Sequence, residues 1–139
     1  MTWRADAVAA ARECVGTPFV HQGRINGRAL DCAGVVVHVA ARLGADYLDV
    51  AGYSRQPHGG TLESVLDSQP CLQRVAINDI EPGDVLVMRF GRVPQHLGIW
   101  TGDTLIHAYE TVGACVEHRM DDKWRARIVR AYRITERQQ

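Results

Sequence analysis

From Glu81 to Ile134 the chain runs through short segments rich in β-branched and aromatic residues: EPGDVLVMRF, QHLGIW, TLIHAY, ACVEH and ARIVRAYRI. Turn residues separate each segment from the next. Connections this short cannot make the long crossovers that parallel strands need, so the second half predicts an antiparallel sheet or small β-barrel.

The first half has another period. Trp3, Ala7, Ala11, Cys14 and Val15 recur at helical spacing, Thr2 can cap, and Gly16 closes the segment. GTPFVHQGRING is a loop. From Cys32 to Leu43, three consecutive valines favour a strand, but the length, the alanines and Gly44 as terminator predict a helix buried on most sides. GADYLDVAGYSRQPHGG is a loop, and TLESVLDSQP a short helix with Thr61 as cap. Helices first and strands second make an α+β fold, with residues 1–139 as one domain.

Sixteen basic residues balance sixteen acidic ones, so no overall nucleic-acid or membrane signature is present. The stretch from Arg119 to Gln139 is locally basic and is expected to be a solvated strand face. Cys14, Cys32, Cys71 and Cys115 form no CxxC pair, which argues against a zinc ribbon or a thioredoxin-type site and predicts reduced thiols. MTWRADAVAAARECVG lacks the basic and apolar regions of a signal peptide, and no apolar run reaches membrane-spanning length. Synthesis in the cytoplasm, without membrane insertion, is the expectation.

Cys32 stands directly before the apolar run. Free cysteines are most often small buried hydrophobes; a nucleophile at a helix start is the sharper alternative, and it needs a base. His38, His58 and His118 are each expected to be structural or solvated. His96 and His107 flank TGDT, which suits a two-residue hairpin loop of Gly102 and Asp103. In that register His107 falls opposite Gly98, and His96 becomes its diagonal neighbour on one face. Glycine there leaves room for an imidazole to lean across. A helix N-terminus carries about half a positive charge and favours a thiolate, so Cys32 beside His96 should ionise well below the free-thiol pKa. An imidazole can take the thiol proton and return it to a leaving amine, while a second polar group fixes the first ring.

Three motifs then carry a resemblance. LDCAGVVVHVAARLG resembles the cysteine motif of the NlpC/P60 cell-wall peptidases, EPGDVLV their PGD turn, and HLGIWTGDTLIHA their two-histidine hairpin. GTPFVHQGRINGRALDC is similar to the subgroup found in phage tail tips and gene transfer agents. The resemblance implies a papain-like α+β fold and a cysteine peptidase that hydrolyses peptidoglycan stem peptides, usually between D-glutamate and a diamino acid. It implies Cys32 as nucleophile, His96 as base and His107 as the orienting residue, with no cofactor or metal. Partners would be peptidoglycan and phage tail-tip or hub proteins; the virion tail would carry the chain to the cell wall or periplasm. Many members have Tyr where this chain has Phe19, which cannot donate a hydrogen bond. The oxyanion and substrate contacts would then fall to the Cys32 N–H, His21, Gln22 and Asp31. Alternatives are a weak or non-catalytic tail component, another acyl transfer on the same scaffold, and metal binding through Cys32, His96 and His107.

Overall fold

The computed structural model describes residues 3–50, 52–54 and 60–135. Thr2 and His58, read above as a cap and a loop residue, lie outside them.

Helix α1 (Trp3–Arg12) buries Ala7, Val8, Ala10 and Ala11. A minimal hairpin follows, β1 (Arg24–Ile25) with β2 (Ala29–Leu30), and leads straight into α2 (Cys32–Leu43). The valine-rich run is therefore helical over the bounds its pattern predicts. Asp31 caps its start and Gly44, at φ 69°, ends it. The valines are tolerated because Val35, Val36 and Val39 are buried, and packing outweighs their small propensity penalty. Next come α3 (Thr61–Asp67), β3 (Leu72–Val75), β4 (Val85–Phe90), β5 (Val93–Trp100), β6 (Thr104–Tyr109), β7 (Ala114–Arg119), α4 (Asp122–Arg125) and β8 (Ile128–Ile134).

Six strands form one antiparallel sheet in the order β3-β8-β4-β5-β6-β7. It ends at β3 and β7, so it is open and not the small barrel considered above. Together with the helices this is an α+β, papain-like arrangement. Alternation along the strands gives the sheet two different faces. Val85, Val87, Leu97, Ile99, Ile106 and Ala108 pack against α1 and α2. On the other face Leu86, Met88, Trp100, Leu105, Ile128 and Ala131 pack with Met120 and Trp124. The Trp3 indole donates to the Ile134 carbonyl at 2.8 Å, tying α1 to the last strand.

The β5–β6 hairpin has the predicted register, with Ile99 opposite Ile106 and Trp100 opposite Leu105. The Thr101 N–H donates to the Thr104 carbonyl at 3.0 Å, closing a loop of Gly102 and Asp103. The PGD turn is held by Asp84, whose carboxylate accepts from the Glu81 N–H at 2.8 Å and pairs with Arg133 of β8 at 2.9 Å.

Four features depart from the sequence-based expectation. Gly60, not Thr61, is the N-cap of α3, and it provides no side-chain bond. The β1–β2 hairpin and β3 are too short for a periodic signal. α4 is a single turn whose cue is Asp121, which accepts from the Trp124 N–H at 2.9 Å. Among the described residues no helix is long and apolar enough to cross a membrane.

The β1–β2 hairpin lies so close on α2 that a Cβ at Gly34 would collide with the Gly23 carbonyl oxygen and press on Leu30 Cδ2 at 3.0 Å. Gly34→Ala is therefore expected to lower stability by about 1–3 kcal/mol, read as a lower urea midpoint. An unchanged midpoint would mean that the hairpin yields freely.

Candidate active site

Asp31 is extended, at φ −102° and ψ −173°, and its Oδ1 accepts from the Gly34 N–H at 2.8 Å. This cap makes Cys32 the first residue of α2, where backbone N–H groups have no acceptor within the helix. The Asp31 carboxylate, 3% exposed, also accepts from the Gln22 N–H at 2.9 Å, from Arg24 Nη1 at 2.8 Å and from the Tyr53 hydroxyl. Arg24 donates on to Tyr53 Oη at 2.7 Å and through Nε to Asp49. Burial, then the bond to Asp31, pushes the Tyr53 phenol up, so it stays a donor.

Cys32 opens onto a pocket of about 270 Å³ whose walls include Phe19, His21, Asp31, Tyr53, Gln95 and Leu97. His21 Nε2 and Gln22 Nε2 lie 3.0 and 3.1 Å from the Tyr53 carbonyl, and Gln22 Oε1 accepts from the Gly52 N–H. Both side chains thus tether the segment at Tyr53. Gln22 is the one non-glycine residue with positive φ among those described, at 61°. Its backbone bond to Asp31 and its two side-chain bonds offset a strain of order 1–3 kcal/mol.

The histidines meet across the paired strands β5 and β6. In the β4–β5 register His96 lies opposite Met88 and Leu97 opposite Val87, so His96 shares the face that α2 does not cover. There His96 Nε2 lies 2.6 Å from His107 Nδ1. His107 Nε2 lies 2.8 Å from His118 Nε2, and His118 Nδ1 lies 2.9 Å from the Arg119 carbonyl oxygen. A Cβ at Gly98 would sit 3.4 Å from His107 Cβ and 2.5 Å from Leu105 Cδ1, which is why glycine stands between the rings. Phe90 stacks on His96 with centroids 4.9 Å apart, and Tyr109 on His107 at 5.2 Å. Arg127 lies 4.3 Å over Trp124, whose ring meets both His107 and His118.

The structure thus joins His96 to His107 and sets Cys32 with Phe19, His21 and Asp31. No hydrogen bond joins Cys32 to His96 among the described residues. Catalytic hydrogen bonds are often long in substrate-free sites and tighten only in the complex.

Electrostatics set the resting protonation. Burial, with Arg127 adding, pushes His96 down to about 3. Burial, then His96, His118 and Arg127, pushes His107 down to about 2. Protein atoms crowd the Cys32 thiol, and burial followed by the Asp31 charge pushes it up to about 12, against the Leu97 and Ala33 backbone and Arg24. This corrects the expectation of a low thiol pKa: desolvation and the capping carboxylate outweigh the partial charge of the helix end. Thiol and imidazoles are neutral together at rest.

His118 was read as a solvated strand end. The missed cue is spacing, since His96 to His107 and His107 to His118 are both eleven residues. Arg24 and Tyr53 carried no such cue. Among the described residues no three His, Cys, Asp or Glu side chains are grouped to hold a metal ion; the histidines bond in series.

The NlpC/P60 family pattern matches residues 16–133. Among solved structures, the NlpC/p60 domain of the peptidoglycan hydrolase SagA has a TM-score of 0.63 at 22% identity, covering 92% of this chain and 96% of that one. An NLP/P60-family protein similar to lipoprotein, from Staphylococcus aureus, has a TM-score of 0.69 at 18% identity; 97% of this chain covers only 42% of that one. RipD from Mycobacterium tuberculosis, a non-catalytic NlpC/p60 domain protein adapted to peptidoglycan binding, has a TM-score of 0.61 at 14% identity, covering 95% and 96%. Identities this low carry the fold alone. No curated protein matched the chain.

Cys32 is part-buried, whereas Cys14, Cys71 and Cys115 are 0%, 3% and 1% exposed. Brief iodoacetamide treatment with peptide mapping should therefore label Cys32 first. Because its thiol is pushed up to about 12, the rate should still climb about tenfold per pH unit beyond pH 9. A plateau near pH 8 would show a thiolate already formed.

Proposed function

The chain belongs to the NlpC/P60 family, which comprises cysteine peptidases and peptidoglycan hydrolases along with non-catalytic members such as RipD, and from that premise we propose that it hydrolyses peptide bonds in peptidoglycan stem peptides. The observation that carries this reading is a thiol at the start of a buried helix, with a bonded histidine pair on the paired strands β5 and β6.

In the proposed reaction Cys32 Sγ attacks the carbonyl carbon of the scissile amide. Its proton passes to Nδ1 of His96, the nitrogen that His107 leaves free. Because both groups are neutral at rest, deprotonation belongs to the attack itself. The Cys32 N–H stabilises the oxyanion. Collapse of the tetrahedral intermediate breaks the C–N bond, and the leaving amine takes the proton from His96. Water, with His96 again as base, then hydrolyses the thioester and restores the thiol. His107 orients His96 throughout.

The finer proposals are a bond between D-glutamate and a diamino acid, and a place in a phage tail tip, where tail or hub proteins hold the chain against the wall. Support for the tail setting is the likeness of GTPFVHQGRINGRALDC to that subgroup. A second reading, a tail component with little or no activity, is favoured by Phe19 in the pocket wall, which offers no hydroxyl to an oxyanion.

Digestion of purified peptidoglycan with mass analysis of the fragments separates the two. The expected outcome is a defined amide cleavage that Cys32→Ala abolishes without altering the fold. His96→Ala should cost about 10²–10⁴-fold in rate, and His107→Ala less. Phe19→Tyr should raise kcat by restoring a donor. No release by the unmodified protein, or equal release by Cys32→Ala, would leave the non-catalytic reading.

A further inference from the structure

The three histidines in series have their protons dictated from one end. A neutral imidazole carries one N–H and one lone pair, whereas the Arg119 carbonyl oxygen can only accept. His118 Nδ1, 2.9 Å from that oxygen, must therefore hold the hydrogen. In its neutral form His118 is then bare at Nε2, where it accepts from His107 Nε2 at 2.8 Å. His107 is in turn bare at Nδ1 and accepts from His96 Nε2 at 2.6 Å. The remaining nitrogen, Nδ1 of His96, makes no hydrogen bond among the described residues and is left with a free lone pair. That is the form a general base requires.

We propose that His118 is a positioning residue that holds His96, through His107, in the tautomer bare at Nδ1. The proposal rests on the reading of His96 as the base. Without an anchored acceptor at position 118, the His96–His107 pair can run in either direction. In the reverse direction His107 donates from Nδ1, and the hydrogen on His96 moves to Nδ1, where it blocks transfer from the thiol. The surroundings suit a relay of fixed direction. His107 is fully buried, Trp124 packs against all three rings, and Arg127 behind it discourages an added positive charge. β7 supplies both His118 and the carbonyl that orients it, so the strand at the sheet edge sets the chemistry two strands away.

Nitrogen NMR of the full chain with ¹⁵N-labelled histidine, near pH 8, reads the tautomer directly. In the unmodified protein the His96 signals should report a protonated Nε2 and a bare Nδ1. His118→Gln keeps a carbonyl acceptor for His107 and should preserve that pattern. His118→Lys offers donors only and should reverse it, with the hydrogen on Nδ1 of His96. His118→Phe removes the anchor and should give a mixture of the two forms. Turnover should follow the tautomer: kcat falls about tenfold or more in His118→Lys, with KM little changed, and is retained in His118→Gln. An unchanged His96 tautomer in His118→Lys would overturn the proposal, as would a bare Nε2 in the unmodified protein. If His118→Phe fails to fold, the Gln and Lys variants decide between them. The NMR result stands even if the protein cleaves no peptidoglycan, so failure of the peptidase reading and failure of the relay are told apart.

Discussion

The Asp31 carboxylate holds the site together. It is almost wholly buried and accepts from Gly34, Gln22, Arg24 and Tyr53. A buried carboxylate is tolerated only when paired and fully hydrogen-bonded, so each of these groups is held where Asp31 needs it. Gly34 sets the first turn of α2, and with it the position of Cys32. Gln22 is held at an unfavourable φ, and Arg24 and Tyr53 draw the segment around residue 53 over the pocket. The same charge that builds the pocket also raises the thiol beside it. Positioning of the Cys32 thiol and suppression of its ionisation thus come from one group.

The second constraint is the pleat of β5. Leu97 turns to the helix side and His96 to the other, where His107 and Trp124 pack around it. Thiol and imidazole are each desolvated where they lie, and each is neutral. A resting thiolate–imidazolium pair would need both groups in one solvated cleft. In the proposed reaction the pair is instead formed in the act of attack, so the tautomer of His96 matters more than its pKa.

A fold of this family does not by itself decide between catalysis and binding, since RipD has the fold without the activity. In this chain Cys32 opens a buried helix and His96 bonds to His107, while Phe19 brings no hydroxyl to the pocket. Tyr53 brings a phenol to the same pocket wall, but Asp31 and Arg24 occupy its hydroxyl. It serves the architecture before it can serve an oxyanion.

Much of this was legible in the chain itself. The bounds of α2 followed from the length of its apolar run, its alanines and a glycine terminator, whereas the Asp31 cap emerged only in the structure. The pairing of His96 with His107 followed from a two-residue loop, because strand geometry has a period of two and a short turn leaves one register. Local rules suffice for such features, since their partners are near in sequence. Others depended on groups far apart in the chain. His118 joins the relay only because β6 and β7 pair beyond a longer turn, and Tyr53 reaches Asp31 through an irregular segment with no period to read. The open sheet and the burial that keeps thiol and imidazole neutral came from packing. Residue types and spacing determined which groups could react. Only the tertiary structure decided how much water each one lost, and desolvation sets their charge.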